Sequence, residues 1–212
     1  MRILLLLSLS YFSTSVLAQQ LTFDWVRLMP GVDDAASITT CVDNSGNSIT
    51  AGYYRNTVDF NVLGGGYPLT TNGNNEIFIR KDEPNGNFIW AKSIGGSGDE
   101  YPYNISADNS GNVLVTGRFT GTVDFDPNAS VYNLTSNGGL DIFILKLDPS
   151  GNLLWAKNLG SSSSEYWESI EADQIGNVYV TGNFSGTTDF DPGAGIMNQT
   201  SDWGWNIPMK YS

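Results

Sequence analysis

In residues 141–147, DIFILKL, apolar positions fail to alternate with polar ones. Ile142 and Ile144 fall on one face of an extended chain, and Phe143, Leu145 and Leu147 fall on the other. A strand apolar on both faces is one that neighbouring layers cover from both sides. The same pattern recurs in residues 76–82, EIFIRKD, where Ile77 and Ile79 share a face. Arg80 there stands where the later segment has a leucine, so less complete burial is expected on that side. The turns Pro84-Asn85-Gly86-Asn87 and Pro149-Ser150-Gly151-Asn152 put proline where φ must be preset and glycine where φ must turn positive, so the chain reverses at both.

These elements repeat. Trp25, Trp90 and Trp155 are 65 residues apart, as are Gly52, Gly117 and Gly182, and Asp59, Asp124 and Asp189. In the second copy, one strand ends just before Asp108. Further strands follow at Asn112 to Phe119, Asp141 to Asp148 and Asn152 to Leu159, and an acidic excursion at residues 121–139 separates the second from the third. Four antiparallel strands at fixed spacing describe a propeller blade. The fold class is therefore all-β, with about three four-stranded blades covering residues 19–212 in copies of about 19–92, 93–157 and 158–212. The period exceeds the roughly 40–50 residues of common propeller repeats, and the excursion accounts for the extra length.

Three blades are fewer than the roughly four to eight of closed propellers. The ring is thus incomplete: missing sequence closes it, or two chains assemble into six blades, or the stack stays open with edges that invite aggregation. Leu21 to Leu28 reads as a fourth strand without its blade, and Asn206 to Ser212 as the start of a third strand. Pro208 fits an edge best, because it removes a ladder donor.

Taken together, DNSGNVLVTG, TVDFDP, DIFILKLD and GNLLWAK resemble the SBBP repeat, the beta-propeller repeat of bacterial secreted and cell-surface proteins. The resemblance implies a propeller and an extracellular setting, and brings no single activity with it.

Composition narrows the chemistry. Residues 1–18 join Arg2 to an apolar run and small residues up to Ala18, the layout of a secretory signal peptide, with no membrane span expected after its removal. The net charge of −12 and the 22 acidic against 10 basic side chains disfavour nucleic acid, which is bound chiefly through Lys and Arg. Without histidine there is no Ser-His-Asp or Cys-His arrangement and no His-based zinc site. The single cysteine, Cys41, excludes an intrachain disulfide and reads as a buried small hydrophobe.

Two groups of residues are candidate sites. Asp124 and Asp126, like Asp189 and Asp191, are two apart, so in a strand their carboxylates project from one face and could begin a calcium site. The competing reading makes them turn aspartates that hydrogen-bond their own loop. Trp25, Trp90 and Trp155 recur once per copy and so read as packing between blades. Trp167, Trp203 and Trp205 fall outside the repeat and are candidates for ligand binding. The expectation is a non-catalytic extracellular binding or scaffolding module presenting loops at blade ends to a protein or polysaccharide, able to form homo-oligomers. The alternative is a carbohydrate-active enzyme fragment working through carboxylates.

Overall fold

The computed structural model describes residues 23–26, 35–163, 165–191, 193 and 195–211, without the side chains of residues 166–168 and 203–207. The signal segment lies outside the described residues, as do residues 21, 22, 27 and 28 of the isolated strand expected at 21–28, and residues 23–26 are not in a strand. Three copies follow one another. The first comprises β1 (Ala35–Val42), β2 (Ser48–Tyr54), β3 (Thr57–Asp59), β4 (Pro68–Thr70), β5 (Glu76–Asp82) and β6 (Phe88–Gly96). The second comprises β7 (Tyr101–Ala107), β8 (Val113–Phe119), β9 (Thr122–Asp124), β10 (Asn133–Thr135), β11 (Asp141–Leu147) and β12 (Leu153–Leu159), and the third β13 (Tyr166–Ala172), β14 (Val178–Asp189) and β15 (Asn198–Tyr211). No α-helix occurs among the described residues.

The first sheet runs β1-β2-β5-β6, the second β7-β8-β11-β12 and the third β13-β14-β15, with antiparallel pairing throughout. The excursion is itself a hairpin, β3-β4 or β9-β10. In the third copy it merges into the long strands, with Thr187 opposite Thr200 and Asp189 opposite Asn198. Among the described residues one ladder links the copies: β9 adds to the edge of β6 through Gly95↔Asp124 and Gly96↔Val123.

The sheets stack face to face, as the doubly apolar strands require. Ile77, Ile79 and Trp90 of the first sheet share a core with Val113, Val115, Phe143, Leu145 and Leu147 of the second. The other face of β11, Ile142 and Ile144, joins Ile170, Val178 and Val180 of the third. Each fully buried side chain of this kind contributes about 1.5–3 kcal/mol. The repeated glycine has a packing cause: a Cβ at Gly117 would run into the Tyr101 carbonyl oxygen on β7 and the Phe143 ring.

One expectation is overturned. Arg80 is buried along with every other residue of β5. Its guanidinium grips Asp82, two residues on along the same face, with Nε 2.8 Å and 3.0 Å from the two carboxylate oxygens and Nη2 2.7 Å from Oδ1. The guanidinium carbon also lies 5.6 Å from the centre of the Phe88 ring. A bidentate partner and an aromatic cover meet the cost of taking this charge out of water.

Candidate interaction surface

Each excursion is built on the same frame. At its base two threonine hydroxyls meet across the hairpin: Thr57 and Thr70 at 2.8 Å, Thr122 and Thr135 at 2.9 Å, Thr187 and Thr200 at 2.8 Å. The aspartate that follows then closes the loop with one oxygen. Asp59 Oδ1 accepts the amides of Asn61 (2.9 Å) and Tyr67 (2.7 Å), Asp124 Oδ1 those of Asp126 (3.0 Å) and Tyr132 (2.8 Å), and Asp189 Oδ1 those of Asp191 (3.0 Å) and Met197 (2.8 Å). Amides directed at the carboxylate favour its charged form, so Asp59 and Asp189 are held below the usual range. The next residue, Phe60, Phe125 or Phe190, drops into the core edge-on to Tyr54, Phe119 or Phe184, with ring centres 5.4, 5.3 and 4.8 Å apart.

The tips above this constant frame differ: NVLGGGY, DPNASVY and DPGAGIM at 61–67, 126–132 and 191–197. They carry exposed apolar side chains, among them Leu63 (84% exposed), Val131 and Ile196 (79% exposed). The excursion of the second copy straddles a seam between sheets. Lys92 Nζ on β6 donates to Asn128 Oδ1 at 2.7 Å, while the Tyr132 hydroxyl donates to the Ala156 carbonyl on β12 at 3.2 Å. This excursion therefore lies along the outer, fourth strands and not at a blade end, because Phe125 ties it into the seam.

The turns joining first and second strands form a ladder across the three copies, Asn44 Nδ2 to the Asn109 carbonyl and Asn109 Nδ2 to the Gln174 carbonyl, each at 3.0 Å. Beneath two of them lie ion pairs, Lys81–Asp43 at 2.8 Å and Lys146–Asp108 at 2.9 Å. Desolvation raises the Asp43 pKa, but Lys81, Asn47 and two backbone amides outweigh it and bring the value down to about 2.

The structure places the candidate residues as follows. Asp124 ends β9 and Asp189 ends β14, so Asp126 and Asp191 lie beyond the strands and the expectation of two carboxylates on one strand face does not hold. The strand stops there because the first carboxylate folds the chain back on itself. Asp126 Oδ1 accepts the Asn128 amide at 3.0 Å, and Asp191 Oδ1 the Gly193 amide at 2.7 Å. Among the described residues, no three Cys, Asp or Glu side chains gather where they could hold a metal ion. Trp167 lies on β13, and Trp203 and Trp205 on β15, on the two sides of β14; their side chains lie outside the described set. The repeating tryptophans pack between sheets: Trp90 is buried, and its indole N–H donates to the Pro149 carbonyl of the next copy at 3.1 Å. Trp25 does the same to Pro84 at 3.0 Å. The Cys41 thiol packs against the first core, and burial, with Glu171 and Asp43 adding to it, pushes its pKa up to about 12.

Sequence reasoning passed over the loop tips, whose signal was the contrast between varying tips and an invariant frame. It also passed over Glu100, fully buried between first and second sheets. Burial, together with Glu76 and Asp99, pushes its carboxyl up to about 7, against a hydrogen bond from the Gly96 amide. A group so enclosed has no access to a substrate.

Residues 89–121 match the family model of the beta-propeller repeat, SBBP. The chain is also similar to an uncharacterized WD repeat-containing protein of Acanthamoeba polyphaga mimivirus, 28% identical over 192 residues, covering 77% of this chain. The chain spans 14% of that relative's length.

Proposed function

We propose that this stack of beta-propeller repeats is a non-catalytic extracellular module that binds a protein or polysaccharide through its three excursion tips. The carrying observation is the contrast within each excursion: an identical frame of threonines, stapling aspartate and buried phenylalanine beneath a tip that differs in every copy and exposes apolar side chains. Rigid frames with variable tips are how binding loops are commonly arranged. The carboxylates around the tips and the net charge of −12 favour ligands with basic or neutral polar groups around an apolar patch. The signal-peptide layout of residues 1–18 supports the extracellular setting.

A glycan array combined with a hydrolysis screen tests the reading. Binding without turnover, lost in a Leu63→Asp, Val131→Asp, Ile196→Asp variant that keeps its β-sheet circular dichroism, is the expected result. Turnover of a bound glycan, or binding indifferent to the three substitutions, overturns it. The setting is checked by amino-terminal sequencing of the exported protein, which should begin at Gln19.

A further inference from the structure

Buried polar atoms without a hydrogen-bond partner concentrate where successive sheets meet. Among the described residues they are Glu100 Oε1, Arg118 Nε, Asp141 Oδ1, Glu165 Oε2 and Thr188 Oγ1. Asp141, Glu165 and Thr188 belong to the seam between the second and third sheets, and all three residues are fully buried. A buried acceptor left bare carries the whole cost of its lost water, so a group of them marks a missing partner.

The two carboxylates meet at one peptide. Asp141 lies flat against Gly160, where an added Cβ would run into both its oxygens, and its Oδ2 accepts the Asn137 amide at 2.8 Å. Glu165 Oε1 accepts the amide of the next residue, Ser161, at 3.1 Å and its hydroxyl as well, while the Glu165 amide donates to the Leu140 carbonyl at 3.2 Å. Each acid is thus held by one oxygen and keeps the other bare. Asn158, beside Asp141, donates its side-chain amide to the Thr135 carbonyl at 3.2 Å. Burial, and then the charge of Asp141, push the Glu165 carboxyl above its ordinary range, as two enclosed anions close together require. The first seam is built differently. There Glu76 has both oxygens filled, by the Asn72 amide and the Ser93 hydroxyl, and Gly96, Gly98 and Val123 stand in place of Ser161, Ser163 and Thr188. Three differences between copies therefore each bring an oxygen to the second seam. A Cβ on Gly96 would come 3.1 Å from Val123 Cγ2, so by the period Thr188 takes a place beside Ser161.

We propose that this seam binds one calcium ion through Asp141 Oδ1, Glu165 Oε2 and Thr188 Oγ1. Two carboxylates match the double charge of the ion, and a neutral hydroxyl adds a third hard oxygen. Calcium takes about six to eight oxygens at irregular angles, so carbonyl and water oxygens complete its shell. Magnesium demands a near-octahedral shell and gives up its waters reluctantly, which suits an enclosed seam poorly. The ion ties β11 and the turn at 161–165 to β14, so it fastens the second copy to the third. The site is independent of what the excursion tips bind.

Titration calorimetry on protein freed of divalent ions with EDTA should show one calcium bound per chain. Calcium at about a hundredfold excess over its Kd should raise the melting temperature by about 5 °C or more, and magnesium at the same ionic strength should not. In Glu165→Gln both calcium signals should vanish. That variant loses a buried charge and so gains stability in EDTA, which separates lost binding from lost folding. Thr188→Val, which installs the residue of the second copy, should keep the fold and weaken calcium binding about tenfold. Asp126→Asn, at an excursion tip, should bind as the parent does. No response at millimolar calcium, an equal response to magnesium, a response that survives in Glu165→Gln, or one lost in Asp126→Asn overturns the proposal.

Discussion

The seam between the first and second sheets and the one between the second and third use equivalent residues to different effect. In the first, Trp90 is 8% exposed, its N–H is taken by Pro149, and Lys81 lies between the Pro149 carbonyl and the carboxylate of Asp43. In the second, Trp155 borders an open cavity. Tyr211 stands where Lys81 and Lys146 stand in the earlier copies, so Asp173 is held by Asn177 and the Tyr179 hydroxyl instead of by an ion pair. A tryptophan at the same place in the period is therefore held differently according to the residues packed around it.

Substitution of the two tryptophans breaks this comparison most directly. Trp90→Ala should cost about 4 kcal/mol, since it opens a cavity in a closed core, and Trp155→Ala about half as much, because its cavity already exists. Urea denaturation checks both, and equal losses would show the seams to be alike.

Next come the aspartates beneath the turns. Asp43→Asn should cost about 3 kcal/mol by leaving buried Lys81 without its countercharge. Asp173→Asn, with no lysine to strand, should cost far less. Because the folded pKa of Asp43 is depressed to about 2, its contribution is complete above its ordinary 3.8 and disappears as pH falls towards 2. Melting temperatures across that interval should drop in the parent protein and remain flatter in Asp43→Asn.

The buried carboxyls act in the opposite sense. Glu100 ionises near 4.5 when unfolded and only at about 7 when folded, so its protonated form favours the fold at low pH and that advantage is lost as pH rises from 4.5 through 7. Glu100→Gln should flatten this decline and gain about 2 kcal/mol at pH 8. Glu165 is also raised by burial, with Asp141 adding to it, so Glu165→Gln should shift stability in the same direction. The smallest effect is expected at the turn ladder, where Asn109→Ala removes an exposed hydrogen bond and should cost about 0.5 kcal/mol in a thermal melt.

Much of the fold was legible in the chain. The doubly apolar DIFILKL names a strand with a core on either side, and Ile142 with Ile144 and Phe143 with Leu145 do divide between two cores. Tryptophan at every 65th position names a packing role, and Trp90 fills it. Arg80 is not legible from pattern, which weighs it as a lone charge, whereas Asp82 two residues on neutralises it. The carboxylates of Val-Asp-Phe-Asp-Pro suggested a shared strand face because strand geometry was assumed to continue through Asp126. The amides that Asp124 captures, one from Tyr132 eight residues away, end the strand first.

What the amino-acid sequence determined by itself is periodic: strand positions, turn residues and which face of each strand meets a core, all set by local φ preferences and by alternation two residues long. What the tertiary structure decided is how each copy meets the next. The excursion of the second copy lies along the seam, and Trp90 reaches the carbonyl of a turn 59 residues away. Those outcomes depend on contacts between residues that the period makes equivalent and only three-dimensional packing makes unequal.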